Sequence, residues 1–229
     1  MTGDEIVQPL IIVGAGGLGR EVAWLVEDIN QESPRYELLG FLDDATTSTA
    51  EGYPVISSVH AWLETPDPRV RVVCAIGDPL TRFRIVRRFK EAGISFATLI
   101  HPTARHSRWV EFGPGTIVCA DTILTTNIKV GAHSIFNLDC TVGHDTKLGD
   151  FTSLMPGVHV SGDVVVGTGT YFGTGATVIN QVSIGDWTTV GAGAVVAKDL
   201  PSGVIAVGVP AKPIKDNPRV PSETELREP

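Results

Sequence analysis

The sequence predicts two domains of different fold class: a small α/β domain over residues 1–100 and a parallel β-helix over residues 101–215. A C-terminal tail over residues 216–229 follows. The first domain is predicted because strand-like apolar runs alternate with helix-like segments, which is typical of a parallel α/β sheet. The second is predicted because the apolar period changes to six residues after residue 111, and such repeats fold as parallel β-helices.

In the α/β domain the apolar runs are short and bounded by turn residues, as expected for buried strands. The predicted strands are residues 9–13, 36–44, 70–78 and 95–100. The predicted helices are residues 16–29 and 79–93, the first with Val22, Leu25, Val26 and Ile29 on one side. In the second helix, the run RFRIVRRFK is expected to turn its apolar residues inward and its charges to water, with Arg82 the one candidate for reaching a ligand.

The β-helix prediction rests on a large apolar residue at every sixth position. These residues are Phe112, Val118, Leu124, Val130, Phe136, Val142, Leu148, Leu154, Val160, Val166, Phe172, Val178, Ile184, Val190 and Val196. The residue two before each is mostly small or β-branched, and because residues two apart on a strand face the same side, both are expected inside. Three faces of six residues give a coil of 18, whose corners are expected to use Gly to relieve the backbone.

Composition limits the possible functions. The formal net charge is −8, from 18 Lys and Arg against 26 Asp and Glu, which argues against binding to nucleic acid or to an anionic membrane. Three widely spaced cysteines fit no metal motif and suit a reducing compartment. The acidic start of the chain has no apolar signal core, and no run is long enough for membrane insertion. We therefore expect a cytoplasmic protein.

His144 and Asp145 lie at a predicted corner of the repeat, outside the packed interior. The same corner one coil later carries Gly162, so a notch with an accessible backbone N–H is expected beside the imidazole. A histidine there can handle a proton, and an adjacent carboxylate can orient its ring. The alternative is a solvent-facing histidine without function. His133 and His159 lack this setting and are expected at the surface or an interface.

The repeat also has a consequence for assembly. It runs without a slip over its whole length, so no inserted loop can form a pocket on the prism. The missing walls must come from the α/β domain or from a second copy of the chain. We therefore expect an oligomer with shared sites, most simply a homotrimer.

The start of the chain carries a glycine-rich turn. Gly14, Gly16 and Gly19 fit the dinucleotide fingerprint after a strand, with Asp43 and Asp44 at the end of the next strand. Such a turn presents N–H groups and a helix N-terminus to a diphosphate. An NAD-dependent dehydrogenase is the obvious rival, but about a hundred residues provide only half of a two-lobed dinucleotide fold. A tight turn that only packs helix on strand is the other alternative.

With the segments NLDCTVGHDTKLGDF, GAGGLGREV and AVGVPAK taken together, the chain resembles left-handed β-helix acyltransferases. It is most similar to the nucleotide-amino-sugar N-acetyltransferases grouped with sialic-acid O-acetyltransferases, and the resemblance covers nearly the whole chain. It implies a Rossmann-like first domain, acetyl-CoA as co-substrate, no metal, and a nucleotide-linked amino sugar as acceptor. Transfer to a sugar hydroxyl is the alternative.

The resemblance also implies roles for individual residues. His144 would be the general base, with Asp145 tuning it. The acceptor would lie near Gly14, Ala15, Gly16, Asp43, Asp44, Gly77 and Asn137. The acetyl-CoA would lie near Ser153, Gly162, Thr174, Ala192 and Lys212. The chain departs from the family at Ser153, where well-studied members carry a second histidine that contacts the acyl carrier.

Two further function classes stay open at the level of sequence. A γ-type carbonic anhydrase also uses a trimeric β-helix, but it needs three histidines that converge on zinc. His101 and His106 precede the repeat, and no third histidine falls at a suitable corner. A non-catalytic nucleotide-binding protein is the other class, and it would bind sugar nucleotide without acetyl-CoA.

Overall fold

The structure, a computed structural model of one chain, describes residues 7–46, 50 and 52–227. The acidic start of the chain, residues 1–6, and the last two residues of the predicted tail lie outside this range. Within the described residues no helix combines the length and the apolar character needed to cross a membrane.

The α/β domain is built on a parallel sheet. Its described strands are β1 (Gln8–Val13), β2 (Tyr36–Leu42), β3 (Val55–Ser57) and β4 (Arg71–Cys74), in the order β3-β2-β1-β4. Its helices are α1 (Gly17–Glu32), α2 (Val59–Glu64) and α3 (Pro79–Glu91). The apolar run of β1 is explained by its central position, since both of its neighbours are strands and helices cover the faces. The four apolar residues predicted on one side of α1 are all buried.

The predicted strand over residues 95–100 is divided between the two domains. Phe96 forms an isolated parallel bridge with Val72 at the edge of the α/β sheet. Leu99 and Ile100 form β5 (Leu99–Ile100), which pairs with a strand of the β-helix. The prediction of one last α/β strand is therefore wrong in its second half, because the chain changes domain within this segment.

Residues 99–216 form a prism with three flat faces. The first, which we call the covered face, contains β5, β8 (Ile117–Val118), β11 (Ile135–Phe136), β14 (Ser153–Leu154), β17 (Tyr171–Phe172), β20 (Thr189–Val190), β22 (Val204–Val207) and β23 (Lys212–Asp216). The second contains β6 (Arg105–His106), β9 (Ile123–Leu124), β12 (Thr141–Val142), β15 (His159–Val160), β18 (Thr177–Val178) and β21 (Val195–Val196). The third contains β7 (Val110–Phe112), β10 (Ile128–Val130), β13 (Lys147–Leu148), β16 (Val165–Val166) and β19 (Ser183–Ile184).

The register of these strands is the predicted 18-residue coil. Lys147 pairs with Val165, and Ser153 pairs with Tyr171. All the predicted large residues are buried except Phe112, which is half-buried at the open end of the prism. Burying each such side chain contributes about 1.5–3 kcal/mol, and a one-residue slip would turn the whole set outward. The apolar period thus fixes the register.

The corners differ from the prediction about glycine. The left-handed backbone falls three residues after each large apolar residue except Val196, and non-glycine residues such as Asp145 and Asp163 adopt it, with φ of 62° and 58°. The glycine that often follows directly after the large residue is explained by the packing between coils. A Cβ on Gly149 would lie 2.5 Å from the backbone nitrogen of Thr168 in the next coil. Glycine there allows successive coils to approach closely.

The α/β domain packs against the covered face. Ile117 and Ile135 of this face share an apolar cluster with residues of α1. Phe151, at the corner before β14, contacts Phe83 of α3 at a ring-centroid distance of 5.4 Å. The tail continues from the prism to α3 and contains α4 (Glu223–Arg227), where Glu225 accepts a hydrogen bond of 2.6 Å from Nε of Arg84.

Candidate active site

His144 lies on the corner between the second and third faces, which we call the His144 ridge (residues 125–127, 143–145, 161–163, 179–181 and 197–199). β12 ends at Val142, and the chain turns through residues 143–145 before β13 begins. The His144 and Asp145 side chains are 63% and 52% exposed. Both therefore project from the prism and take no part in its core, as the repeat predicts.

The two side chains form a pair. Nδ1 of His144 and Oδ2 of Asp145 are 2.8 Å apart, and Nδ2 of Asn127 donates to Oδ1 of the same carboxylate over 3.2 Å. The hydrogen bond with His144, followed by that from Asn127, lowers the pKa of Asp145 below its usual value. A carboxylate at Nδ1 favours the tautomer that protonates this nitrogen and leaves Nε2 as the acceptor. Nε2 is the atom that can take a proton from a ligand.

Gly162 completes the notch that the sequence predicts. A Cβ at this position would lie 2.6 Å from Nε2 of His144, so the imidazole lies directly against the glycine. Ala132 and Thr168 occupy the same position of the repeat as Gly162, on the corner between the third face and the covered face. There the N–H groups donate to the carboxylates of Asp150 and Asp186, one coil later. Among the described residues nothing accepts from the N–H of Gly162. The notch thus offers one proton acceptor and one unbonded donor.

The glycine-rich turn has the geometry of a phosphate-binding loop. Gly14 has a φ of 100°, and a Cβ on Gly19 would lie 1.9 Å from the oxygen of Gly14, so helix and strand approach closely only because both are glycine. Gly16 is the N-cap residue of α1 and has open space where a side chain would be. The first and third glycines therefore shape the turn, and the second leaves the N-terminus of α1 accessible.

Asp43 and Asp44 are engaged with the backbone of their own domain. The N–H of Ala15 donates to Oδ2 of Asp43 over 2.8 Å, and two N–H groups that follow Asp43 donate to Oδ1. Burial works to raise the pKa of Asp43, but the hydrogen bonds from these N–H groups outweigh it, and the pKa is lowered. Asp44 is exposed and accepts from the N–H of Val59, which begins α2.

Gly77 and Ser153 meet between the two domains. Gly77 lies in the loop after β4, and its carbonyl oxygen accepts a hydrogen bond of 2.9 Å from the hydroxyl of Ser153 on β14. Ser153 is 0% exposed. Arg82 of α3 is equally buried and donates to both residues, so the expectation that it faces a ligand or water is wrong. The packing of α3 onto the β-helix, which no periodicity reveals, encloses it.

Most of the remaining predicted site residues lie on the corner that follows the covered face. We call this corner the Asn137 ridge (residues 119–121, 137–139, 155–157, 173–175 and 191–193). Asn137 is buried, and its Oδ1 accepts from the N–H of Leu138 over 2.7 Å. Thr174 and Ala192 are exposed, one coil apart. Lys212 is exposed and is the first residue of β23.

The predicted residues therefore fall into two groups. The His144 ridge is opposite the covered face, because it separates the other two faces of the prism. The α/β domain, Ser153 and the Asn137 ridge are on or beside the covered face. One chain does not bring the two groups together.

Sequence reasoning missed His133 as a buried group. It is 1% exposed and stacks on Phe151 at a centroid distance of 5.1 Å, and no described residue bonds either ring nitrogen. Burial, followed by the charges of Lys90 and Arg82, lowers its pKa to about 3. It is thus a neutral ring at the domain interface. Elsewhere in the described residues no three His, Cys, Asp or Glu side chains converge as a metal site would require.

Two family models match the chain. The PglD N-terminal domain matches residues 9–89, and the bacterial transferase hexapeptide (six repeats) matches residues 145–180. A GDP-perosamine N-acetyltransferase from Escherichia coli is 30% identical over 156 residues, which cover 67% of this chain and 70% of the relative.

Solved structures extend the similarity to nearly the whole chain. The acetyltransferase domain of PglB from Neisseria gonorrhoeae, in complex with acetyl coenzyme A, is 32% identical with a TM-score of 0.84, covering 91% of this chain and 100% of that domain. PerB from Caulobacter crescentus, in complex with CoA and GDP-perosamine, is 33% identical with a TM-score of 0.84 and covers 90% of this chain and 97% of PerB.

Proposed function

We propose a function from one premise that these similarities establish: the chain belongs to the family of hexapeptide-repeat sugar N-acetyltransferases that carry a PglD N-terminal domain. It transfers the acetyl group of acetyl-CoA to the amine of a nucleotide-linked amino sugar. The observation that carries the assignment to a site is the notch on the His144 ridge, where Nε2 of His144 lies against a glycine whose N–H has no acceptor in the described structure.

The reaction follows from these two groups. The neutral amine attacks the thioester carbon, and Nε2 of His144 takes a proton from the nitrogen as the C–N bond forms. The N–H of Gly162 donates to the carbonyl oxygen as that oxygen gains negative charge. The C–S bond then breaks, and the imidazolium returns the proton to the departing thiolate. Asp145 holds the ring through Nδ1 and stabilises its protonated form.

The acceptor is proposed to lie at the carboxyl ends of the α/β strands, where ligands bind in open parallel sheets. Its diphosphate would meet Gly14, Ala15 and Gly16 at the N-terminus of α1. Asp43 and Asp44 would lie near the nucleoside, and Gly77 and Asn137 near the sugar. The space in front of Gly16, where no side chain stands, supports this placement.

Acetyl-CoA is proposed to run along the Asn137 ridge. Thr174 and Ala192 are exposed and one coil apart, which suits an extended pantetheine chain, and the exposed amine of Lys212 can meet a phosphate. We propose a cytoplasmic location, where acetyl-CoA is available to the enzyme. It also suits the described free thiols of Cys74, Cys119 and Cys140, which are all buried and whose pKa burial raises to about 12.

The complete site requires a second copy of the chain. The His144 ridge of one protomer must lie beside the Asn137 ridge and the α/β domain of its neighbour, because one chain holds these groups on opposite sides of the prism. Three copies around a threefold axis meet this condition for every protomer, so we propose a homotrimer with three shared sites.

The test is turnover by the full chain with acetyl-CoA and a panel of GDP-, UDP- and dTDP-linked amino sugars. We expect release of free CoA together with an amide product for at least one of them. The matched acceptors carry a hydroxyl in place of the amine, and they should give little ester product. If only the ester product forms, the enzyme is an O-acetyltransferase. If no CoA is released with either kind of acceptor, the proposal is contradicted.

A further inference from the structure

Arg82 is the most fully bonded side chain at the interface between the two domains. It is 0% exposed, and each of its guanidinium nitrogens donates to an acceptor. Nη1 donates to the carbonyl oxygens of Ile76 and Gly77 in the loop after β4. Arg82 therefore holds the loop that follows the last strand of the α/β sheet.

The other two nitrogens reach the β-helix. Nε donates to the oxygen of His133 over 2.9 Å, and Nη2 donates to the oxygen of Phe151 over 2.7 Å. Nη2 also donates to Oγ of Ser153 over 2.8 Å, and the hydroxyl of Ser153 donates onward to the oxygen of Gly77. Arg82, Gly77 and Ser153 thus form a closed triangle across the domain interface.

The network is specific for arginine. Among the described residues no carboxylate bonds Arg82, so neutral oxygens alone compensate its burial. Burial, the largest influence, lowers the pKa of Arg82 to about 10, so the group is charged at neutral pH. A lysine ammonium has three donors at one point and does not span acceptors on both domains, whereas the planar guanidinium does.

The loop that Arg82 holds is beside the glycine-rich turn. A Cβ on Gly14 would lie 2.8 Å from Cδ1 of Ile76 and 3.1 Å from the oxygen of Ala75. Movement of residues 75–77 would therefore move the turn that faces the proposed diphosphate. Thr174 and Ala192, the residues proposed to hold acetyl-CoA, lie one and two coils beyond Ser153 along the prism.

We propose that Arg82 is a positioning residue for the nucleotide sugar, and that Ser153 acts with it in this network and not as a contact of the acyl carrier. The network fixes residues 76–77 against β14 and so fixes the orientation of the acceptor-binding turn. The hydroxyl of Ser153 gives its one proton to Gly77, which leaves none for a thioester oxygen. The inference rests on the proposed function, because it divides the residues between the two substrates.

The experiment is steady-state kinetics of the full chain with both substrates varied, after thermal melts show that each variant is folded. Ser153→Ala removes the two bonds of the triangle that involve Ser153 and keeps the one between Arg82 and Gly77, and we expect the KM for the nucleotide sugar to rise about 3- to 10-fold. The KM for acetyl-CoA should stay within about twofold. Arg82→Met should raise the KM for the sugar by about 10-fold or more, with Arg82→Lys between it and the wild type.

The matched control is Arg84→Met, two residues along the same helix, where the arginine is exposed and bonds Glu225 of the tail. Both of its KM values should match the wild type. If Arg82→Met does not fold, Ser153→Ala decides. A rise in the KM for acetyl-CoA alone, an equal rise in both KM values, or no change would overturn the inference. An inactive wild type would instead refute the proposed function, so the two failures are distinguishable.

Discussion

Replacing His144 with alanine is expected to lower kcat/KM for N-acetylation by about 10²- to 10⁴-fold, the usual contribution of a positioned general base. The reason is geometric. Asp145 holds the ring of His144 at Nδ1, no described residue bonds Nε2, and the ring lies against Gly162. Without the imidazole, the amine must lose its proton to water as it attacks.

The melting temperature of His144→Ala should stay close to that of the wild type, because the side chain projects from the prism. Asp145→Asn should lower kcat/KM less, by about 10- to 100-fold, since the base is kept but its tautomer and orientation are not fixed. His60→Ala is the control, because this histidine is also exposed but lies on α2 in the α/β domain. Full activity of His144→Ala would remove the general base from the mechanism.

Substituting Gly162 with alanine is expected to cost about 10²-fold in kcat/KM, the order associated with a displacement of about 1 Å in a catalytic group. The added Cβ would lie 2.6 Å from Nε2 and 2.7 Å from Cε1 of His144, so the ring must leave its position. Stability should change little, because the corner is at the edge of the prism and the exposed imidazole can turn into water.

A glycine without neighbours provides the comparison for this substitution. Gly93 follows α3 with a φ of 72° and has no atom within 4 Å of an added Cβ. Gly93→Asn keeps the left-handed conformation that asparagine tolerates, and it should leave kcat/KM unchanged. If Gly162→Ala were as active as this control, the contact between the ring and the glycine would have no part in catalysis.

The fold can be predicted from the sequence because the spacing of the apolar residues follows directly from the geometry of the strands. The six-residue spacing predicts the coil, its register and the outward placement of His144, and all three are confirmed. The expected fold class, a Rossmann-like α/β domain followed by a left-handed parallel β-helix, is likewise confirmed by the strand order and by the relatives.

What the sequence does not reveal is how the domains pack on each other. Arg82 belongs to a strongly basic helix whose charges were expected in water, yet its guanidinium is enclosed by the covered face. His133 occupies a corner like that of His144, but the α/β domain covers that corner: Phe96 lies against the ring at a centroid distance of 4.5 Å, and Arg82 bonds the backbone oxygen of His133. Contacts with another domain do not affect the local spacing of apolar residues, so the burial of both residues could be found only from the structure. The roles proposed for the individual site residues stay predictions.

The central claim is that each site joins the His144 ridge of one protomer to the α/β domain of another, and subunit complementation tests it most directly. His144→Ala removes the base, and Gly16→Leu places a side chain in the open space in front of α1, where its Cβ has no described atom within 4 Å. Each variant alone should be inactive. Co-expressed with different tags and purified as mixed trimers, they should regain about one third of the wild-type activity, because one of three interfaces then carries both intact halves. Mixed trimers as inactive as their parents would show that each site lies within a single chain and contradict the account.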